Sequence, residues 1–305
     1  SARRRCPVAV SRVVGGDAST RVPPESELEM VPALAGPAGA ESMSSEAPNA
    51  LVQVMASQDG SVLSREQCLL LAHAEGDDLL GLLVAADMLR RDLVGNIVTY
   101  VVNRNINFTN ICFVGCKFCS FSRGPREQDS YFHSLETMAQ KAVEARALGA
   151  TEVCIQGGLP HGLPPFYYRD ILRAIKTAVP DMHIHAFSPM EIVYGVELTG
   201  MPLPDYLKML RDNGLDTLPG TAAEILDDDV RFVLSRNKLS TEQWNQVVRT
   251  AHQCGLRSQP TLMYGHVGTP TNGDNQLELL GAIPTAAARV HQVVWRGLIH
   301  RVTRL

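Results

Sequence analysis

From about residue 97 the chain alternates short β-branched stretches with amphipathic ones, each pair divided by a loop. "NIVTYVVNRNINF" is extended and leads into a cysteine-bearing loop. The helical stretch "SLETMAQKAVEARALGA" follows, with Leu135, Met138, Ala139, Ala142 and Val143 on one face and a stop at Gly149. "TEVCIQGG", "MHIHAFSP", "LDTLPGT" and "LRSQPTLMYGH" continue as strands, separated by "FYYRDILRAIKTAV", "LPDYLKMLRDNG" and "STEQWNQVVRTAHQCG" as helices. In the last helix Ser240 and Gln243 have capping-box spacing, and Trp244, Val247, Val248 and Ala251 form the inner face. Strands alternating with helices run parallel and are joined by crossovers. Such a succession predicts a barrel-like α/β fold with its site at the carboxyl ends of the strands. A complete eight-unit barrel takes ~250 residues, whereas residues 96–305 supply 210. A partial barrel of about six strands is therefore expected.

Residues 1–60 are rich in Ala, Gly, Pro, Ser, Glu and Val without a sustained period, which predicts a disordered tail or linker. Residues 61–95 read as a helical preface to the barrel core at 96–305. "SREQCLLLAHA" opens with Ser64 and Gln67 at capping-box spacing, and "DDLLGLLVAADMLRRDLVG" has acids first, arginines last and Gly95 after them. With 45% apolar and 20% charged residues the chain resembles a soluble globular protein. A net charge of −4 offers no basic surplus for nucleic acid. No apolar run approaches the ~20 residues of a membrane helix; Leu79–Leu89 is short and broken by Asp87. No secretory signal is recognisable. Seven cysteines make an odd number, and Cys6, Cys68, Cys154 and Cys254 are scattered singly, a poor disulfide framework. A reducing, cytoplasmic setting is expected. The chain begins at Ser1 rather than Met, which suggests a processed chain or a piece of a longer one.

The remaining cysteines, Cys112, Cys116 and Cys119, stand together in "NFTNICFVGCKFCSF" with the spacing C-x-x-x-C-x-x-C. A four-iron cluster takes one thiolate per iron. Three cysteines on one loop would leave one iron open, as a catalytic centre requires. A zinc knuckle completed by a histidine such as His133 is the alternative, and the cysteines alone leave both open.

This spacing, with the aromatic Phe118 just before the last cysteine, resembles the signature of radical S-adenosylmethionine (radical SAM) enzymes. The resemblance implies a partial TIM-like (βα)6 barrel and a 4Fe-4S cluster on Cys112, Cys116 and Cys119. It also implies S-adenosyl-L-methionine at the open iron as the source of a 5′-deoxyadenosyl radical, with Phe118 against the adenine. "VTYVVNRNINFTNIC", "ATEVCIQGG", "HIHAFSPMEI", "LDTLPGTAAEILDD" and "LMYGHVGTP" extend the resemblance from about residue 85 to 270. They are similar to the synthases of the deazaflavin chromophore, 7,8-didemethyl-8-hydroxy-5-deazariboflavin (FO). The likeness is to the half that acts as a 5-amino-6-(D-ribitylamino)uracil–L-tyrosine 4-hydroxyphenyl transferase. In that family a hydrogen is taken from the tyrosine amine, the Cα–Cβ bond breaks, and a 4-hydroxybenzyl radical adds to C5 of the uracil. The implied partners are L-tyrosine, 5-amino-6-(D-ribitylamino)uracil, a reductant protein as electron donor and the companion deazaflavin-forming radical SAM half.

Gln156, Gly157 and Gly158 end the second strand, where the family binds the amino group of S-adenosylmethionine; an ordinary tight turn would use the same glycines. In "HIHAFSPME", His183 and His185 share a strand face, and His183 reads equally as a core histidine. His185, Ser188 and Glu191 lie nearer the carboxyl end, with Ser188 and Glu191 expected at the cofactor. Thr221 and Glu224 top the fourth strand, although Glu224 could instead offset a helix dipole. Tyr264 and His266 end the fifth strand, with His266 placed to exchange a proton near substrate. Asn103, Asn105 and Asn107 alternate onto one face, Asn105 being the named ligand candidate. Cys154 reads as buried and inert, Met263 as core.

After "GHVGTP" the resemblance fades: Gly268 stands where relatives carry an acid, and "VHQVVWRGLIHR" is only a faint sixth strand. The tail from about residue 271 is divergent, so the barrel could be incomplete and the chain an inactive truncated fragment. An aminofutalosine synthase-like or cyclic dehypoxanthine futalosine synthase-like enzyme of menaquinone synthesis would share the cysteine loop and the barrel, but "PGTAAEIL" argues against both. A metal-dependent hydrolase built on His183 and His185 would leave the cysteines unexplained.

Overall fold

The computed structural model describes residues 9–13, 64–97, 99–263 and 267–281. The chain divides into two compact units, residues 1–13 with 96–305 and residues 14–95. In the smaller unit α1 (Arg65–Ala72) and α2 (Gly76–Val94) pack through Leu71 and Ala85. The capping box read from the sequence is present. Ser64 Oγ accepts from the Gln67 amide at 3.3 Å, and Gln67 Oε1 accepts from the Ser64 amide at 2.8 Å.

The larger unit is a parallel sheet whose strand order follows the chain: β1 (Ala9–Val13), β2 (Thr99–Ile106), β3 (Glu152–Ile155), β4 (His183–Ala186), β5 (Thr217–Gly220) and β6 (Arg257–Pro260). Between and after them lie α3 (Leu135–Ala147), α4 (Tyr167–Ala178), α5 (Pro189–Thr199), α6 (Leu203–Asp212), α7 (Asp228–Ser235), α8 (Thr241–Gln253) and α9 (Pro270–Gly281). This sequential parallel order is that of a partial TIM-like barrel. Among the described residues the sheet does not close, and "VHQVVWRGLIHR" lies outside them. Residues Ala9–Val13, inside the stretch expected to lack structure, pair with β2 from Ala9↔Thr99 to Val13↔Asn103. Five residues are too few to show a strand period; β2 supplies the partner that makes them one.

The strand pleat sorts the side chains into two faces. Val153, Ile155, Ile184, Ala186 and Leu218 are wholly buried in one cluster with Met138 and Ala142 of α3, Ile171, Leu172 and Ile175 of α4, and Tyr206, Leu207 and Leu210 of α6. Burying each larger side chain stabilises the fold by about 1.5–3 kcal/mol. The face of α3 differs slightly from expectation: Ala145 is buried and Val143 exposed, because the core follows the i, i+4, i+7 row from Met138. The opposite sheet face is polar. In register it carries Asn103, Glu152 and His183, and then Asn105, Cys154, His185 and Thr217. Parallel strands buried on both faces are ordinarily apolar throughout, so this polar interior marks the face where chemistry can be done.

Replacing Leu172 with Ala should lower stability by about 2–5 kcal/mol. The urea midpoint should fall while the slope of the unfolding transition stays the same.

Candidate functional site

The cysteine loop leaves β2 through residues locked to their surroundings. Phe108 is wholly buried and meets Tyr167 and Tyr168 edge-on at centroid distances of 5.6 and 5.9 Å. Thr109 Oγ1 donates to the Tyr131 carbonyl at 2.6 Å, and Asn110 donates to the Asp129 carbonyl at 2.9 Å while accepting from the Tyr131 amide at 2.8 Å. Beyond them Cys112 N donates to Arg123 O at 3.1 Å, Gly115 turns the chain at φ +69°, and Cys119 N donates to Cys116 O at 3.0 Å. Gly157 and Gly158, at the end of β3, press on this loop. A Cβ on Gly158 would lie 2.1 Å from Ile111 O and 3.0 Å from the Cys112 Cβ, and one on Gly157 would lie 2.5 Å from the Phe108 ring.

All three thiols are free of disulfides; Cys112 and Cys116 are half-buried and Cys119 is exposed. Burial pushes the Cys116 thiol up to about 11, opposed by the Lys238 ammonium and reinforced by Glu224, Cys119 and Cys112. His133 packs its ring on Tyr131, centroids 4.6 Å apart. Among the described residues no three His, Cys, Asp or Glu side chains gather about one ion-sized point.

Opposite the loop stands the turn after β5. Ala222 and Glu224 take left-handed backbone conformations, at φ 66° and 41°, which are strained for residues with a Cβ. Arg231 of α7, 4% exposed, holds that turn by donating to the carbonyls of Ala222, Ala223, Ile225 and Leu239. Glu224 accepts from Lys238 at 2.8 Å, and Lys238 sits 5.1 Å over the Phe118 ring. Phe118 itself packs against the cluster of Ile225, Val230 and Leu234, as do Leu262 and Met263. Lys117 N to Leu234 O at 2.9 Å and Asn237 to Val114 O at 3.2 Å fasten the two segments.

The interior face joins most of the remaining candidates. Asn105 donates to Asn107 at 3.1 Å, Asn107 to the Gln156 carbonyl at 2.8 Å, and the Gln156 amide to Thr221 Oγ1 at 3.1 Å. His183 and His185 both reach Thr217 Oγ1, at 2.9 and 2.7 Å. Burial depresses His185 to about 4, with His183 adding to the effect, so its ring is neutral at ordinary pH. After β4, Phe187 turns the chain at φ 62° with its ring wholly buried. Ser188 then caps α5. Glu191 Oε2 accepts from the Ser188 amide and hydroxyl, both at 2.7 Å, and Oε1 from the Gly157 amide at 3.1 Å. Burial raises Glu191 to about 7 against these bonds. Tyr264 and His266 lie outside the described residues.

A model of the radical SAM superfamily matches residues 106–281. The chain belongs to that superfamily. It is 49% identical over 246 residues to an FO synthase of Nocardia farcinica, a match covering 81% of this chain and 28% of that protein. It is 46% identical over 221 residues to a 5-amino-6-(D-ribitylamino)uracil–L-tyrosine 4-hydroxyphenyl transferase of Methanothermobacter thermautotrophicus, covering 72% of this chain and 60% of that one. Among solved structures, HydG, a maturase of the FeFe-hydrogenase, aligns with a TM-score of 0.61 at 14% identity over 79% of this chain and 51% of that chain. That likeness shows the fold alone.

The radical SAM family implies an iron–sulfur cluster and S-adenosylmethionine, and the residues present fit such a cluster. Cys112, Cys116 and Cys119 offer three unpaired thiols on one loop, which Gly158 lets lie against the end of β3. Iron takes thiolates, so loading must displace the Cys116 proton.

Gly158→Ala should push Ile111 and Cys112 away from β3. Iron and sulfide bound after anaerobic reconstitution should fall by more than half while the far-ultraviolet circular dichroism is kept. A second expectation concerns Glu191, whose folded value of about 7 lies above its ordinary 4.5. The folded state then holds the extra proton, so stability declines as pH rises from 4.5 to 7, by about 3 kcal/mol. Glu191→Gln should flatten that decline in thermal melts across the same range.

Proposed function

We propose that this chain carries out the tyrosine-cleaving transfer of FO synthesis, moving the 4-hydroxybenzyl group of L-tyrosine to 5-amino-6-(D-ribitylamino)uracil. The observation that carries this reading is the cysteine triad on the loop after β2, in a chain 46% identical over 221 residues to a transferase of that name. Cys112, Cys116 and Cys119 would hold the 4Fe-4S cluster, and S-adenosyl-L-methionine bound with it would supply the 5′-deoxyadenosyl radical. Phe118 offers a flat apolar surface for the adenine. Gln156, Gly157 and Gly158 bring backbone close to the cysteine loop, and Ser188 with Glu191 hold that backbone from beneath. Asn105, His185 and Thr221 present polar atoms to the interior, where a polyol and an amino acid would be held; Glu224 stands beside the cysteine loop. Holding the two substrates in register and excluding water is the protein's share of such chemistry.

The chain spans 28% of the FO synthase relative and 60% of the transferase relative. The length of the FO synthase relative supports a companion radical SAM half as partner, and the radical chemistry calls for a reductant protein as electron donor. No helix among the described residues is long and apolar enough to cross a membrane; the cytoplasmic setting rests on the scattered, unpaired cysteine pattern of the sequence.

Anaerobic reconstitution should give a brown protein that, with dithionite, forms 5′-deoxyadenosine and consumes tyrosine only when the diaminouracil is present. Cys116→Ala should lose the colour and lower 5′-deoxyadenosine formation at least ~100-fold. A reconstituted protein that instead turns over an enolpyruvyl benzoate would reject this assignment.

A further inference from the structure

The polar interior carries a run of polar side chains across five strands, β2 to β6, hydrogen-bonded from His183 through Thr217 and His185 to Gln259. At the amino ends of the strands Asn103 donates to Glu152, whose Oε2 lies 3.5 Å from His183 Nε2. His183 Nε2 is 2.9 Å from Thr217 Oγ1, and Thr217 Oγ1 is 2.7 Å from His185 Nδ1. His185 Nε2 meets the Gln259 amide at 3.1 Å. Thr217 owns a single hydroxyl proton, so it donates to one ring and accepts from the other. The tautomers of the two histidines are therefore linked. With the Gln259 amide donating to His185 Nε2, His185 carries its proton on Nδ1, and Thr217 passes its own towards His183. The hydrogens of Gln259, His185 and Thr217 then all point towards His183.

The two ends differ in access to water. His185 is 7% exposed, whereas the His183 side chain is 40% exposed. Gln259 and Thr217 already satisfy both nitrogens of His185. His183 has water available, yet it also engages Thr217. Packing alone does not account for a run that leads from a sealed ring to an open one.

We propose that His185, Thr217 and His183 form a proton relay that carries a proton from a substrate amine in the interior to solvent at the amino ends of the strands. The identity of that amine rests on the reading above, in which tyrosine gives up a hydrogen atom from nitrogen. An ammonium is a poor donor of a hydrogen atom, because its loss leaves a radical cation; the neutral amine is better. The ammonium N–H bond breaks with its electron pair left on nitrogen. The proton passes to His185 Nε2 as Gln259 gives way. The His185 Nδ1 proton moves to Thr217, the Thr217 proton to His183 Nε2, and His183 Nδ1 releases one to water. One proton enters and one leaves, so no net charge remains on the buried ring.

The test uses the full chain with ¹⁵N-labelled histidine and follows exchange of the ring N–H protons with water by NMR. In the wild type the His185 ring proton should exchange at a rate close to that of His183. Thr217→Val, which keeps the shape and removes the hydroxyl, should slow it ~10-fold or more, and Thr217→Ser should restore it. Should the valine protein fail to fold by circular dichroism, His183→Phe puts the same question at the exposed end and should slow exchange equally. An unchanged His185 rate in the folded variant overturns the relay. Turnover is the second arm: Thr217→Val in reconstituted protein should lower kcat ~10-fold or more with the KM for tyrosine unchanged. A wild type that never consumes tyrosine overturns the functional reading instead, and the exchange rates still decide for or against the relay.

Discussion

The cysteine loop can stand at the carboxyl ends of the strands because the backbone after β3 has no side chains to hold it off. Gly158 lies so near Ile111 that its missing Cβ would fall 2.1 Å from a carbonyl oxygen, and Gly157 leaves room for the Phe108 ring. Phe108 in turn is seated among Tyr167 and Tyr168 of α4. The position of three thiols thus traces back through one ring to the apolar core. Glu191 completes the arrangement from below by accepting the Gly157 amide. A loop fixed this way is preorganised, so little ordering remains to be done when a ligand arrives.

The second support comes from far along the chain. Arg231 spends its guanidinium on three backbone carbonyls of a strained turn and on that of Leu239, and Lys238 bridges Glu224 to the Phe118 ring. Bonds to charged donors are stronger than neutral ones, at about 1.5–3 kcal/mol each. That is enough to hold Ala222 and Glu224 in conformations costing of order 1–3 kcal/mol. The turn after β5 and the loop after β2 consequently behave as one wall, with cationic groups on the cysteine side.

Much of this is legible in the sequence. Strand and helix periods alternate strongly enough to give the parallel order. The cysteine spacing marks the site, and Ser64–Gln67 and Ser240–Gln243 form the capping boxes their spacing predicts. Two helices, α5 and α7, are not legible there. Ser188 and Glu191 read as cofactor groups, whereas their first engagement is with each other, as the capping box that starts α5. The same x-x spacing that reveals the other caps is present there, hidden by Pro189 and a short apolar run. Thr217, Gln259, Arg231 and Lys238 carry no motif of their own. Thr217 acquires meaning only from its register opposite His185, which is a property of two strands rather than of either. Lys238 lies beyond an unforeseen helix, and its neighbour Phe118 is more than a hundred residues away in the chain.

Between His185, which faces the interior, and Ser188, which begins a helix on the other side, only two residues intervene. The reversal fits into that space because Phe187 accepts a left-handed backbone while its ring stays anchored in the core. An α-helix advances by about 100° per residue, so one inserted residue would start α5 late and swing Glu191 away from the Gly157 amide. This segment can therefore tolerate exchanges of side chain far more readily than any change in its length.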